Sequence, residues 1–126
     1  MDLSELENLF GDRLVTSESV RFQHSHDESW HIPENLPDAV IFPETSNEVS
    51  RIISFAFKNN IPVIPFGTGT ALEGHVHAVN GGITIDSRNM NKVIQVNMED
   101  MDCRVQAGVT REELNSFLRD TGLFFP

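Results

Sequence analysis

The 126-residue sequence predicts an α+β fold, a small βαβ-containing subdomain followed by the start of a second, mainly antiparallel subdomain. Two patterns carry that reading. Apolar runs at Ala39–Phe42 and Ile61–Ile64 bracket a stretch with helical periodicity, the strand–helix–strand order of parallel strands joined by a right-handed crossover. Further on, Val93–Val96 and Cys103–Ala107 alternate apolar and polar residues about a polar turn, as an antiparallel hairpin does. The length is enough to bury a real core, with two subdomains allowed.

Taken in order, residues 1–36 form an N-terminal helical segment. Leu3, Leu6, Leu9 and Phe10 make a helical stripe that stops at Gly11, and Ser17 caps a short second helix through Phe22. His24, His26 and His31 follow in a polar stretch and read as loop histidines rather than metal ligands. Residues 37–90 are the first α/β subdomain. Its helix has the best start signal in the chain, a Thr45-Ser46-Asn47-Glu48 capping box, with Val49, Ile52, Ile53, Ala56 and Phe57 as the apolar face. Asn59-Asn60 ends it. Gly81-Gly82 precedes a further strand, Ile83–Asp86. Residues 91–126 begin the second subdomain: the hairpin, then Gly108, then a helix opened by a capping box at Thr110–Glu113 and a Val109–Leu114 staple. Leu114, Phe117 and Leu118 face inward in this reading, and Gly122 sits at a C′ position.

Composition narrows the function classes. Hydrophobic residues at 39% and charged residues at 22% are ordinary for a soluble globular protein. A single cysteine, Cys103, excludes an internal disulfide and a cysteine-built zinc or iron–sulfur site. A net charge of −10 speaks against nucleic acid as a partner. No run of 18 apolar residues offers a membrane span, and the acidic start lacks the basic leader of a signal or transit peptide, so the expected setting is cytoplasmic.

Chemistry concentrates in Pro65-Phe66-Gly67-Thr68-Gly69-Thr70-Ala71-Leu72-Glu73-Gly74-His75, which leaves the carboxyl end of the second strand. Two glycines two residues apart allow positive φ and close approach of backbone N–H groups to a bound group. Converging N–H groups make an anion nest, and Thr68 and Thr70 add hydroxyls. A P-loop is excluded, since no lysine lies between Lys58 and Lys92. The dinucleotide fingerprint fails because Leu72 stands where its third glycine belongs. From the glycines alone, a phosphate cradle and a plain turn stand level; the position at a strand's carboxyl end favours the cradle. Thr70–Glu73 also reads as a capping box opening a short helical turn. Glu73 is the only charged residue between 59 and 85, so an anion here is expected to be held by backbone dipoles.

Pro37-Asp38-Ala39-Val40, Pro62–Pro65, the loop 66–75, Gly81–Asp86, Met90-Asn91 and Gln106–Thr110 together resemble the FAD-linked oxidases of the vanillyl-alcohol-oxidase type, nearest the D-lactate dehydrogenase and glycolate oxidase flavin-subunit group. The resemblance implies the PCMH-type FAD-binding fold, with FAD between two subdomains. It assigns FAD, held non-covalently, to Pro65, Phe66, Gly67, Thr68, Gly69, Thr70, Ala71, Leu72, Glu73 and Gly74, and no catalytic residue to this chain. It further implies an FAD-dependent oxidation of a D-2-hydroxy acid by a longer parent, with the rest of the FAD site and the substrate domain beyond Pro126. Alternatives are a related FAD-dependent alcohol oxidase, or a folded fragment that binds no flavin alone and self-associates through its apolar Leu123–Pro126 end.

Overall fold

A computed structural model describes residues 1–126. Its centre is a four-stranded sheet in the order β1-β2-β4-β3. Strands β2 (Ala39–Ile41), β4 (Ile83–Asp86) and β3 (Val63–Phe66) are parallel, and β1 (Leu14–Val15) pairs antiparallel with β2 at one edge. The strand–helix–strand unit therefore forms, but β4 inserts between β2 and β3 rather than beside them. β4 is buried at all four positions, as expected of a strand covered on both faces.

One sheet face carries Ala39, Ile41, Ile83 and Ile85. It is covered by α1 (Ser4–Phe10) through Leu3, Leu6 and Phe10, and by α3 (Ser46–Lys58) through Ile52 and Phe55. The buried stripe of α3 is Ile52, Phe55 and Ala56. Phe57, expected on the apolar face, is 84% exposed; Ile52 and Ala56 stay on the buried stripe, and Phe55 rather than Phe57 reaches the sheet. The Thr45 hydroxyl accepts from the Glu48 N–H at 3.2 Å, but the Glu48 carboxylate does not close the expected box. It accepts from the Glu44 N–H at 2.7 Å and from the Arg13 guanidinium at 2.7 and 2.8 Å. That bidentate pair holds the Glu48 carboxyl down at about 2 and ties the turn before β1 to the start of α3. The first segment is thus more than helical: after α1 it supplies the Gly11–Arg13 3₁₀ turn and β1, before α2 (Glu18–Gln23).

The second sheet is the predicted hairpin, β5 (Val93–Asn97) with β6 (Asp102–Val105), irregular around Ile94. Met101 takes φ +53° in the connecting turn. Helix α4 (Arg111–Leu118) opens on a complete capping box between Thr110 and Glu113. Leu114 and Leu118 are buried, whereas Phe117 is 60% exposed, contrary to its expected inward face. Gly108 fastens this half to the first. Its N–H donates to the Met90 carbonyl at 2.8 Å, and a side chain there would overlap the Ser87 carbonyl oxygen.

Candidate functional site

The glycine loop leaves the carboxyl end of β3, two residues further along than the Ile61–Ile64 strand predicts, because the ladder with β4 runs to the Phe66–Asp86 pair. Pro65 and Phe66 are the last strand residues, with Pro65 exposed and Phe66 buried. Gly67, Thr68, Thr70, Leu72 and Glu73 are exposed, and Gly69, Ala71 and Gly74 half-buried. The helical turn expected at Thr70–Glu73 does not form; the stretch is irregular until the His77 N–H donates to the Gly74 carbonyl at 3.1 Å. From Gly67 to Leu72 no backbone N–H donates to an acceptor within the protein. Unengaged N–H groups in sequence are the donor set an anion nest requires.

The two loop glycines do different jobs. Gly69 has φ +72°, and a Cβ there would stand 2.8 Å from the Phe66 Cζ, so the backbone folds down over that ring. Gly67 lies outside the left-handed region, contrary to the expectation, and a Cβ on it would meet nothing within 4 Å. Its bareness leaves open space rather than serving a turn. The hydroxyls of Thr68 and Thr70 pair with each other at 3.0 Å at the rim.

Two joined clefts open from this loop. The polar one, about 600 Å³, is bordered by Gly67, Thr68, Arg88, Gly108, Thr110 and Arg111. The apolar one, about 700 Å³, is bordered by Val49, Ile53, Val63, Pro65, Ile85 and Met90, and shares Gly67, Ser87 and Ala107 with the first. Arg88 and Arg111 were not foreseen near the loop, since they lie outside residues 59–85 in sequence. The Gly108–Met90 lock brings both to the rim, so an anion there would meet the Arg111 guanidinium, an Arg88 guanidinium paired to Asp86, the Glu112 carboxylate and the start of α4 as well as backbone dipoles.

Behind the loop lies a buried polar centre that the sequence reading also missed. His24 is only 3% exposed, not a solvated loop histidine. Its Nε2 donates to Asp86 Oδ2 at 2.8 Å and its Nδ1 faces the Val20 carbonyl at 2.8 Å. Both neighbours are acceptors, so each ring nitrogen sits within hydrogen-bond distance of an oxygen. Asp86 is 0% exposed and also accepts from Arg88 Nε and the Arg88 N–H, at 2.8 and 2.9 Å. Burial pushes its carboxyl up, but hydrogen bonds from His24 and Arg88 outweigh that and hold it below the usual range. The His24 ring packs on Phe66 at 4.5 Å between centroids, the same ring that underlies Gly69. No sequence motif announces this centre; only the parallel pairing that carries Asp86 to the end of β4 assembles it.

No group of three or more His, Cys, Asp or Glu side chains is arranged to hold a metal ion, and no helix is long and apolar enough to cross a membrane. Residues 37–126 match the family described as FAD binding domain. The chain is 46% identical over 125 residues to a probable mitochondrial D-lactate dehydrogenase of Danio rerio, covering 98% of this chain and 25% of the relative. It is 32% identical over 93 residues to the glycolate oxidase subunit GlcD of Bacillus subtilis, covering 74% of this chain and 20% of the relative. It thus spans a quarter or less of either relative. Among solved structures it superposes on p-cresol methylhydroxylase with a TM-score of 0.84 and 18% identity, covering 96% of this chain and 24% of that one, which shows the shared fold.

Proposed function

The chain belongs to the FAD binding domain family, and on that premise we propose that it is the FAD-binding portion of a flavin-dependent oxidoreductase acting on a D-2-hydroxy acid, D-lactate or glycolate. The observation that carries the cofactor reading is the run of unengaged N–H groups from Gly67 to Leu72, whose first residues, Gly67 and Thr68, border the cleft that Arg88 and Arg111 also line. Such a set fits a diphosphate, which needs several convergent donors and tolerates no side chain at the point of closest approach. The adjoining apolar cleft suits a planar ring, so the two clefts together match a dinucleotide better than a simple phosphate. Pro65 to Gly74 are the proposed contacts, with FAD held non-covalently.

The chemistry that FAD supplies in such enzymes is acceptance of a hydride from the hydroxyl-bearing carbon. This chain's part is to bind and orient the cofactor, and none of its residues is assigned to the hydride step. The choice of a hydroxy acid rests on the D-lactate and glycolate named for its relatives.

Titrating FAD with the purified chain tests the proposal. Saturable quenching of flavin fluorescence, with the flavin released intact by acid, is the expected result. Unchanged fluorescence at tens of micromolar protein would refute it for this chain. A second reading, a folded module without flavin that self-associates, is favoured by the exposure of Phe117, Phe124 and Phe125 on one half of the molecule. A concentration-dependent mass in sedimentation, abolished by Phe124→Ser with Phe125→Ser, is its signature.

A further inference from the structure

Residues 24–28 lie outside the matched family region, which begins at residue 37. They nevertheless hold both ends of the glycine loop. At the entry, His24 packs on the Phe66 ring under Gly69 and hydrogen-bonds Asp86, which in turn carries Arg88. At the exit, the Glu28 N–H donates to the Ala71 carbonyl at 3.0 Å. The Asp27 side chain, 0% exposed, lies 3.5 Å from His77 Nε2 and takes the Ser29 N–H at 3.0 Å. Hydrogen bonding from Ser29 and the nearby His77 ring hold its carboxyl below the usual range against burial, and the His77 N–H in turn donates to the Gly74 carbonyl at 3.1 Å. Between these two points the loop has no other backbone hydrogen bond to the rest of the protein.

We propose that the segment His24–Glu28 is a clasp that fixes the glycine loop in its anion-receiving shape before any ligand arrives, with His24 and Asp27 as positioning residues. The physical reason is entropic. An exposed loop with unpaired donors would otherwise sample many conformations, and ordering it at the moment of binding costs affinity. Two tethers five to eight residues apart, at Phe66 and at Ala71–Gly74, remove most of that freedom beforehand. The clasp rests on the FAD-binding reading only for its consequence; the ordering of the loop stands by itself.

The test measures both. Backbone ¹⁵N order parameters at Gly67, Thr68, Gly69 and Thr70 report loop order without any ligand, with values near ~0.85 for rigid backbone and below about 0.6 for flexible backbone. In the wild-type chain they are expected near the rigid value. In Asp27→Ala they fall toward the flexible one while α3 and β5 are unchanged, and Asp27→Asn, which keeps an acceptor oxygen, restores most of the order. His24→Gln, which keeps a donor to Asp86 but not the ring on Phe66, loosens Gly69 more than Thr70. In parallel, FAD and ADP affinities are expected to drop about tenfold or more in Asp27→Ala, with adenosine affinity unmoved. A flexible loop in the wild type, or equal order in the wild type and Asp27→Ala, overturns the clasp. So does an equal loss for ADP and adenosine, which marks a general structural role. If the wild type binds no FAD, the function proposed above fails while the order parameters still decide the clasp.

Discussion

The glycine loop separates two demands that a Gly-x-Gly motif normally confounds, and substitution can read them apart. At Gly69 the backbone has φ +72°, and a side chain would press on the Phe66 ring at 2.8 Å. Left-handed backbone costs a non-glycine residue about 1–2 kcal/mol. Gly69→Ala should therefore destabilise the fold by at least that amount, a fall in Tm of roughly 5–9 °C for a domain of this size. At Gly67 neither demand exists, and a Cβ would project into empty space. Gly67→Val should leave stability within about 0.5 kcal/mol, as for an exposed site without special geometry. Its isopropyl group would, however, occupy the ground where an anion must come. If two charge-assisted hydrogen bonds are lost, at about 1.5 kcal/mol each, FAD affinity falls by more than about a hundredfold. Thermal unfolding and flavin fluorescence on the same samples decide it. A Gly67→Val protein that binds FAD like the wild type, or that loses as much stability as Gly69→Ala, would refute the division of labour.

Other consequences follow from the packing and the charges. Gly108→Ala would drive a methyl group into the Ser87 carbonyl oxygen, with the Met90 carbonyl oxygen at 2.9 Å, and should cost about 2 kcal/mol or more in urea unfolding. Asp86→Ala leaves the buried His24 Nε2 without its hydrogen-bond partner and should cost about 1–3 kcal/mol, with loss of the His24–Asp86 signature in histidine NMR. Glu48 titrates at about 2 in the folded chain against an ordinary 4.5, so the unfolded chain binds the extra proton between those values. The stability from the Arg13–Glu48 pair is complete above about pH 4.5 and is lost as pH falls toward 2. Allowing for the partial exposure of both side chains, about 1–2 kcal/mol is at stake, and Glu48→Gln should flatten that part of the acid limb.

Local signals in the sequence located most of the fold. The cap at Thr45, the alternation in β5 and β6 and the capping box at Thr110 each depend on residues within a turn or a hairpin of one another, and each formed. Errors arose where a tertiary neighbour decided. Phe57 and Phe117 fit a helical stripe by spacing but are exposed; Phe55 takes the buried position on α3, while Leu114 and Leu118 are buried on α4 as expected. The Glu48 carboxylate left its local box for Arg13, 35 residues away. β1, two residues long, has no periodicity to detect and exists because β2 offers it an open edge. The same rule governs the candidate site. Gly67 to Gly74 was legible as a contiguous motif, whereas His24, the Asp86–Arg88 stretch and Arg111 reach it from three separate segments, brought there by β4 pairing and the Gly108 lock.

That the unpaired N–H groups after β3 form an FAD diphosphate cradle is tested most directly by amide chemical shifts of residues 66–74 during titration with FAD, with ADP and adenosine as controls. FAD and ADP should shift Gly67, Thr68, Gly69 and Thr70 together, saturably, and adenosine should leave them in place. Shifts confined to other residues, or equal shifts with adenosine, would contradict the assignment of this loop to the diphosphate.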